Sequence, residues 1–276
     1  MKEFILGDLH GNATGELNSL SNNHWPEGKT LTKEDIVFQL GDFGFYFAYP
    51  EYKELYKKLY NQREILANKE YTILIIPGNH ENYDLIESLP QIEKWGGIVY
   101  EEKFEEGSLY IAKRGEIYNI NGKTFFTFGG ALSSDKDDRH SIDELGTEKR
   151  VKKYRYGELI GVRMKKIKIG SINYWKRELP SEEEMEYGLQ NLSLHNYEVD
   201  YILTHTCPSS IIDSFLNKTD ENEAKFNCPT GDYLEKIYKK TKFKHWYFGH
   251  LHTNKTLDTK EGSFTCHYHK KPKIIE

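Results

Sequence analysis

Short apolar runs recur along the chain, and each ends in a glycine or a cluster of polar residues. The runs are four to six residues long and rich in β-branched or aromatic side chains, which favours buried strands over helices. The predicted strands are residues 3–6, 36–40, 71–76, 124–128, 200–204 and 245–248.

Three stretches between these runs have a helical pattern. Residues 51–70 repeat leucine and tyrosine at steps of three and four, with charged residues opposite. Residues 181–192 begin with Ser181 and Glu184 at the spacing of a capping box, and residues 231–240 form the third stretch. Strands that alternate with helices predict an α/β layered domain.

The chain shows no internal repeat and no flexible linker, so we predict a single domain over residues 1–276. One region differs in composition: residues 149–168 hold nine lysines or arginines against one acid, Glu158. We expect this region in a basic insertion at about 135–195. Such a charge run is usually a solvated hairpin, which we favour, but it would also suit the approach of a polyanion such as a nucleotide or nucleic acid.

Composition indicates a soluble globular protein, with 37% hydrophobic, 29% charged and 14% aromatic residues and a net charge of −5. Three widely spaced cysteines fit a reducing compartment better than a disulfide framework. No apolar run approaches the ~20 residues of a membrane span. The first residues also leave no room for a signal peptide, so we expect a cytoplasmic protein without a membrane partner.

Polar side chains follow five of the predicted strands, four times next to a glycine. The carboxyl ends of strands in an open α/β sheet are where ligands bind, and glycine lets the backbone turn sharply there. The residues are Asp8 and His10, Asp42, Asn79, His205, and His250 with His252.

Each of these residues alone is weak support for a metal site. The pair His250 and His252 is more often part of an ordinary loop, His205 is more often a packed histidine, and Asn79 is more often a turn residue. It is hard to explain by chance that all of these residues follow the ends of predicted strands. Imidazole, carboxylate and amide ligands together suit divalent manganese, iron, zinc or nickel.

In this order, the segments GDLHGN, GD, GNHEN, TH and GHLH resemble the signature blocks of the calcineurin-like metallophosphoesterase superfamily. Other stretches, residues 126–140 and 171–184, resemble a bacterial and phage-type subgroup. The resemblance implies a four-layer α-β-β-α sandwich with a two-metal site at the strand ends. It implies that Asp8, His10 and His252 hold one metal, that Asn79, His205 and His250 hold the other, and that Asp42 bridges both.

This resemblance also implies a reaction. Two divalent ions, manganese first and iron, zinc or nickel as alternatives, would lower the pKa of a shared water, and the resulting bridging hydroxide would attack phosphorus. The partner would be a phosphate ester, with nucleotides and nucleic acids among the candidates. His80, beside Asn79, is the expected general acid that protonates the leaving oxygen.

The sequence departs from the protein serine/threonine phosphatases of that superfamily in one loop. Those enzymes carry a carboxylate and an arginine where this chain has Phe45 and Tyr46. The orienting partner of His80 and the phosphate clamp must then come from elsewhere. Arg139 is a candidate substrate contact, although an ordinary ion pair in a solvated loop explains it equally well.

We therefore predict a dinuclear phosphoesterase that hydrolyses phosphomonoesters or phosphodiesters. A nuclease or cyclic-nucleotide phosphodiesterase on the same site is the alternative, favoured by the basic insertion. A protein phosphatase is less expected because of Phe45 and Tyr46. A non-catalytic scaffold is also less expected, because scaffolds usually lose ligands or the acid, and this chain has all of them.

Overall fold

The computed structural model describes residues 1–11, 19–48, 50, 53–133, 148–155, 158–166, 175–216, 228–268 and 271–275. Within these residues the chain forms two large β-sheets, a separate two-stranded hairpin and five α-helices. Short 3₁₀ helices cover Pro26–Thr30 and Lys176–Glu178.

The first sheet has a parallel centre with antiparallel edges. Its strands lie in the order β15-β1-β2-β3-β6-β5-β4, and β1, β2, β3 and β6 are parallel neighbours. The strands are β1 Glu3–Leu6, β2 Ile36–Leu40, β3 Thr72–Ile76, β4 Gln91–Lys94, β5 Gly97–Lys103, β6 Ser108–Ala112 and β15 Lys273–Ile274.

The second sheet repeats this arrangement. Its strands lie in the order β13-β14-β12-β11-β8-β7, and the four from β14 to β8 are parallel. The strands are β7 Ile117–Ile120, β8 Lys123–Phe128, β11 Tyr201–Thr204, β12 His245–Phe248, β13 Lys255–Asp258 and β14 Ser263–Cys266.

The two sheets pack face to face. One buried cluster draws on both of them, with Phe38 and Leu74 from the first sheet and Phe125, Leu203 and Tyr247 from the second. The rings of Phe38 and Phe125 lie 4.8 Å apart, centroid to centroid. Aromatic and branched side chains on both inner faces therefore form the central layer of the core.

Helices cover the outer face of each sheet. Leu59 and Leu66 of α1 (Lys53–Ala67) pack with Ile73 and Ile75 of the first sheet. Three helices pack against the second sheet: α3 (Glu182–Leu194), α4 (Ser209–Phe215) and α5 (Pro229–Tyr238). A further short helix, α2, covers Tyr83–Glu87. The result is the four-layer α-β-β-α sandwich that the family resemblance implied.

The basic stretch forms an antiparallel hairpin of β9 (Glu148–Arg155) and β10 (Glu158–Lys166), paired only with each other among the described strands. It lies in the chain between β8 and β11, as expected. The capping box at Ser181 and Glu184 is confirmed by both of its hydrogen bonds. The bounds of the insertion and the single-domain organisation remain predictions.

All six strands and all three helices expected from the sequence are present. In the part of the chain that the structure describes, no helix has both the length and the apolar character needed to cross a bilayer.

Candidate metal centre

The predicted ligands lie at one edge of both sheets, because parallel strands deliver their carboxyl ends to the same side. β1, β2 and β3 lead into Asp8 with His10, Asp42, and Asn79 with His80. In the second sheet, β11 leads into His205, and β12 leads into His250 and His252. Each sheet thus supplies part of one cluster.

Five of the seven predicted ligands have a left-handed backbone conformation. Their φ angles are 47° at Asp8, 49° at His10, 51° at Asp42, 62° at His250 and 51° at His252. Residues other than glycine adopt this conformation uncommonly, and such strain gathers at functional sites. The sharp turns aim successive side chains into the crevice instead of along the strand.

Two glycines allow the side chains to approach each other closely. A Cβ at Gly41, where φ is +88°, would lie 2.1 Å from Nδ1 of His205. A Cβ at Gly78 would lie 2.3 Å from Oδ1 of Asp42. Any side chain at either position would displace a predicted ligand, which explains the glycines of the GD and GNH motifs.

The cluster contains a buried group of donors. Asp42, His205 and His250 each offer an atom within 4.8 Å of the others, and all three residues are buried. Nε2 of His205 lies 3.3 Å from Oδ1 of Asp42 and 2.9 Å from Oδ1 of Asn79. These four residues are those expected to hold one metal, including the bridging Asp42.

A second group lies nearer the surface and shares Asp42 with the first. Asp8, His10, Asp42 and His252 offer atoms within 4.8 Å of one another. Nε2 of His10 lies 3.2 Å from Nε2 of His252 and 3.8 Å from Oδ2 of Asp42. Asp8 and Asp42 are buried, while His10 and His252 are exposed, so this group opens to solvent.

The electrostatics of the cluster are strongly coupled. Burial disfavours the imidazolium of His205, but the Asp42 and Asp8 carboxylates outweigh that effect and raise its pKa to about 9. Burial would raise the pKa of Asp42, yet His205, His80 and His10 hold it well below its usual range. Burial raises the pKa of Asp8 well above its usual range, against the opposing charge of His205. The cluster therefore attracts positive charge.

The donor set fits a metal ion in one further respect. Nδ1 of His205 donates to the Leu40 carbonyl at 2.8 Å, so Nε2 is the ring nitrogen that faces Oδ1 of Asn79, either with a proton or as a ligand of a cation. Two acceptors at 2.9 Å require a cation or a proton between them. Two ligand atoms bound at right angles to the same divalent ion, each at ~2.1 Å from it, lie ~3 Å from each other. The 2.9 Å between Nε2 of His205 and Oδ1 of Asn79 therefore fits two ligands of one ion.

His80, the predicted general acid, lies at the mouth of the cluster. Its backbone N–H donates to Oδ1 of Asp42 at 3.0 Å, and its Nε2 lies 3.8 Å from Oδ2 of the same carboxylate. The side chain is 21% exposed, and its ring stands edge-on to His10 at 5.2 Å. It can therefore reach both the cluster and an entering molecule.

Glu81 is a site residue that the sequence analysis missed. It is fully buried, and its carboxylate accepts hydrogen bonds from the backbone N–H groups of Asp42, Gly44 and Gly78. Burial and the charge of Asp42 raise its pKa to about 7. Glu81 thus joins the loops after β2 and β3, and its place directly after His80 was the only signal in the sequence.

Tyr268 was also missed. Its ring stacks on His252, with the centroids 4.4 Å apart, and its backbone is held by two hydrogen bonds to Asn254. This contact orients the imidazole of an exposed predicted ligand. No motif in the sequence connects Tyr268 with His252.

The loop after β2 is anchored in the core. Phe45 and Tyr46 are fully buried, and Tyr46 donates its hydroxyl hydrogen to Glu102 at 2.7 Å. Arg63 donates to the Phe45 carbonyl and to both oxygens of Glu102. Neither Phe45 nor Tyr46 can therefore take the place of the acid and arginine that protein phosphatases carry here. Arg139 lies outside the described residues, and its predicted substrate contact remains a prediction.

The chain belongs to the calcineurin-like phosphoesterase family, whose model matches residues 1–254. The bacterial and phage-type subgroup remains a prediction. A comparison with curated protein sequences gave no match.

Solved structures resemble the chain at low identity. The phosphopantetheinyl hydrolase PptH of Mycobacterium tuberculosis is 13% identical, with a TM-score of 0.45 over 97% of this chain and 89% of its own. A Staphylococcus aureus protein assigned as a 5'-nucleotidase, solved with alpha-ketoglutarate, is 14% identical, with a TM-score of 0.45 over 97% of this chain. The match spans 48%, about half, of that longer protein.

Proposed function

We propose that this protein is a dinuclear metal-dependent hydrolase of phosphomonoesters or phosphodiesters. The observation that carries the proposal is the position of Asp42, whose carboxylate belongs to both groups of donors. One ion would be held by Asp8, His10 and His252, and the other by Asn79, His205 and His250. Asp42 would bridge the two. Manganese is the first choice for both, with iron, zinc or nickel as alternatives.

When bound, the two ions supply charge stabilisation and a nucleophile at neutral pH. The residues of the chain provide the rest. His205 is held by the Leu40 carbonyl in the tautomer that leaves Nε2 for a ligand bond. The exposed His10 and His252 leave the outer side of the cluster open to a phosphoryl group.

The leaving oxygen needs a proton, and we assign that role to His80. Its anchorage to Asp42 through the backbone fixes the ring beside the cluster, while its partial exposure lets it meet the leaving group. A positioned general acid of this kind contributes ~10²–10⁴-fold to a rate.

The test is a panel of phosphate esters assayed with the purified protein. Chelator-treated protein should be inactive, and added manganese should restore hydrolysis of p-nitrophenyl phosphate or its bis-ester. Absence of hydrolysis of every ester in the panel, with manganese bound, would contradict the proposal.

A nuclease or cyclic-nucleotide phosphodiesterase is the second candidate. It is supported by the hairpin of β9 and β10, which carries most of the basic stretch in two paired strands. Bis-p-nitrophenyl phosphate, cyclic nucleotides and a single-stranded oligonucleotide test it beside the monoester. Hydrolysis of the monoester alone would exclude this candidate.

A protein phosphatase and a non-catalytic scaffold have less support. The buried Phe45 and Tyr46 cannot bind phosphate, which counts against the phosphatase. The gathered ligands and His80 count against the scaffold. A cytoplasmic location belongs to the proposal too, supported by three buried cysteines that form no disulfide with one another.

A further inference from the structure

The amide of Asn79 ends a chain of buried polar groups that come from three separate parts of the sequence. Nδ2 of Asn79 donates to Oγ of Ser133 at 3.0 Å. Oγ of Ser133 donates to Oε2 of Glu178 at 2.6 Å, and the backbone N–H of Ser133 donates to Oε1 at 3.0 Å. All three residues are buried, and Glu178 is fully so.

The direction of these hydrogen bonds follows from counting donors and acceptors. The Glu178 carboxylate accepts two hydrogen bonds from Ser133, one from its backbone N–H and one from its hydroxyl, so the hydroxyl hydrogen of Ser133 points at Glu178. The same hydroxyl oxygen then has only lone pairs to offer Asn79. It can bind the NH₂ group of Asn79 and not the carbonyl oxygen.

The consequence lies at the other end of the amide. With Nδ2 turned to Ser133, Oδ1 of Asn79 must face Nε2 of His205, 2.9 Å away. A flipped amide would place its NH₂ group there, and an NH₂ group is not a ligand for a cation. Ser133 and Glu178 therefore decide whether Asn79 presents an oxygen to the cluster.

Glu178 is itself held firmly. The guanidinium of Arg114 donates to the backbone carbonyls of Arg177 and Glu178 and to that of Gly129. A further bond, to Glu184 at 2.9 Å, ties Arg114 to the start of α3. The segment that follows the basic hairpin is thus fixed against the site.

We propose that Ser133 and Glu178 are positioning residues that fix the amide of Asn79 for metal binding. This inference rests on the proposed function, since it assigns a role in the same site. It connects the stretch between β8 and β11, where the predicted insertion lies, with the buried half of the metal centre. Outer partners of metal ligands typically change metal affinity by ~10–100-fold.

The experiment measures manganese binding by calorimetric titration of chelator-treated full-length protein. Ser133→Ala removes the acceptor of the Asn79 amide. Glu178→Gln replaces one of the two carboxylate oxygens with an NH₂ group. Either the backbone N–H or the hydroxyl of Ser133 then loses its acceptor. For each variant we expect one of two sites to weaken ~10–100-fold, while the other keeps its wild-type affinity.

Glu116→Gln is the matched control. Glu116 is also a buried glutamate, and it accepts from the Tyr187 hydroxyl away from the predicted ligands. This variant should bind both ions as the wild type does. Electron paramagnetic resonance of manganese should show loss of the coupled two-ion signal in Ser133→Ala at limiting metal, with recovery at excess metal.

Turnover gives a second readout. Excess manganese should restore kcat in Ser133→Ala, whereas the manganese concentration for half-maximal activity should rise. A merely structural defect would lower the melting temperature of the metal-free protein and would not be corrected by metal. Should Glu178→Gln fail to fold, Ser133→Ala decides alone.

Wild-type affinity for both ions in folded Ser133→Ala and Glu178→Gln would overturn the positioning role and leave the proposed function intact. An equal loss in Glu116→Gln would also overturn it. Failure of the wild-type protein to bind manganese would instead contradict the proposed function, and the positioning role with it.

Discussion

At the scale of single residues, the site combines unusual backbone angles with buried charge. Asp8, Asp42 and His250 are buried side chains on left-handed backbone, a conformation that only strong surroundings can hold. Much of that support comes from contacts between distant residues. Glu81 accepts from loop N–H groups 37 and 39 positions earlier in the chain, and Ser133 lies 54 positions from Asn79.

These separations along the chain explain which site residues could be predicted from the sequence and which could not. His205 and Asp42 could be proposed as ligands from the sequence because a strand ends one or two residues before each of them. Glu81, Ser133 and Glu178 were missed because their roles depend on contacts that no local pattern encodes. The orienting groups of a site are therefore harder to predict than its ligands.

His80→Asn should lower turnover by ~10²–10⁴-fold without loss of manganese. The loss should be larger with phenyl phosphate than with p-nitrophenyl phosphate, because the poorer leaving group needs the proton more. Steady-state kinetics and metal analysis measure both effects. The control is His24→Asn, which replaces an exposed histidine that is hydrogen-bonded to Ser21. Wild-type kinetics in His80→Asn would refute the assignment of His80 as the general acid.

His245 makes stability depend on pH. Burial, with a smaller contribution from Lys273, lowers its pKa from 6.5 to about 4. Between these values the unfolded chain binds more protons than the folded one, so this contribution to stability is present above pH 6.5 and is lost as pH falls toward 4.

His245→Gln should therefore lose less stability than the wild type between pH 7 and pH 5, because glutamine does not titrate and can keep the bond to Thr265. Urea unfolding at the two pH values measures the difference. Equal losses in both proteins would show that His245 does not contribute.

At the scale of elements, the sequence predicted six strands of the two sheets, but it missed the edge strands and also the interior strands β5, β6 and β14. β2 and β3 are buried on both faces and consist mostly of apolar residues, which is how parallel strands in a covered sheet appear. β4 alternates exposed and half-buried residues, and β13 is mostly exposed, so neither has an apolar run. Edge strands are stabilised by pairing, which a local pattern does not reveal.

The loop after β2 is anchored to the core in part by one buried ion pair. Arg63 and Glu102 are joined by two hydrogen bonds, and Arg63 also holds the Phe45 carbonyl. Arg63→Met should lower the free energy of unfolding by ~3–5 kcal/mol, because it leaves the Glu102 charge buried without its partner.

Replacing both partners, in Arg63→Met with Glu102→Leu, should recover part of that loss, since the uncompensated charge is gone. Denaturant unfolding compares the variants. Arg177→Met is the control: its ion pair with Glu87 is 44% exposed on the arginine side and should contribute at most ~1 kcal/mol. A loss of that small size in Arg63→Met would show that the buried pair does not anchor the loop.

At the scale of the whole molecule, the site joins two halves of a sandwich. The first sheet supplies Asp8, His10, Asp42 and Asn79, and the second supplies His205, His250 and His252. Bound metal would therefore link the two sheets across one edge. Folding and metal binding should be coupled, since an unfolded chain holds these groups far apart.

Removal of metal should lower the melting temperature of the protein. At a free manganese concentration one hundred times Kd, a single site adds ~2.7 kcal/mol to stability. Thermal unfolding with manganese and with chelator measures the shift. Asp42→Ala should show a much smaller shift, because it lacks the shared ligand, and a full wild-type shift in that variant would contradict the bridging role.

The most direct test of the account is an anomalous difference map from crystals grown with manganese. We predict two peaks ~3.5–4 Å apart with the Asp42 carboxylate between them. Asn79, His205 and His250 should lie around one peak, and Asp8, His10 and His252 around the other. A map without a peak among these seven side chains, or with a single peak that Asp42 does not touch, would contradict the account.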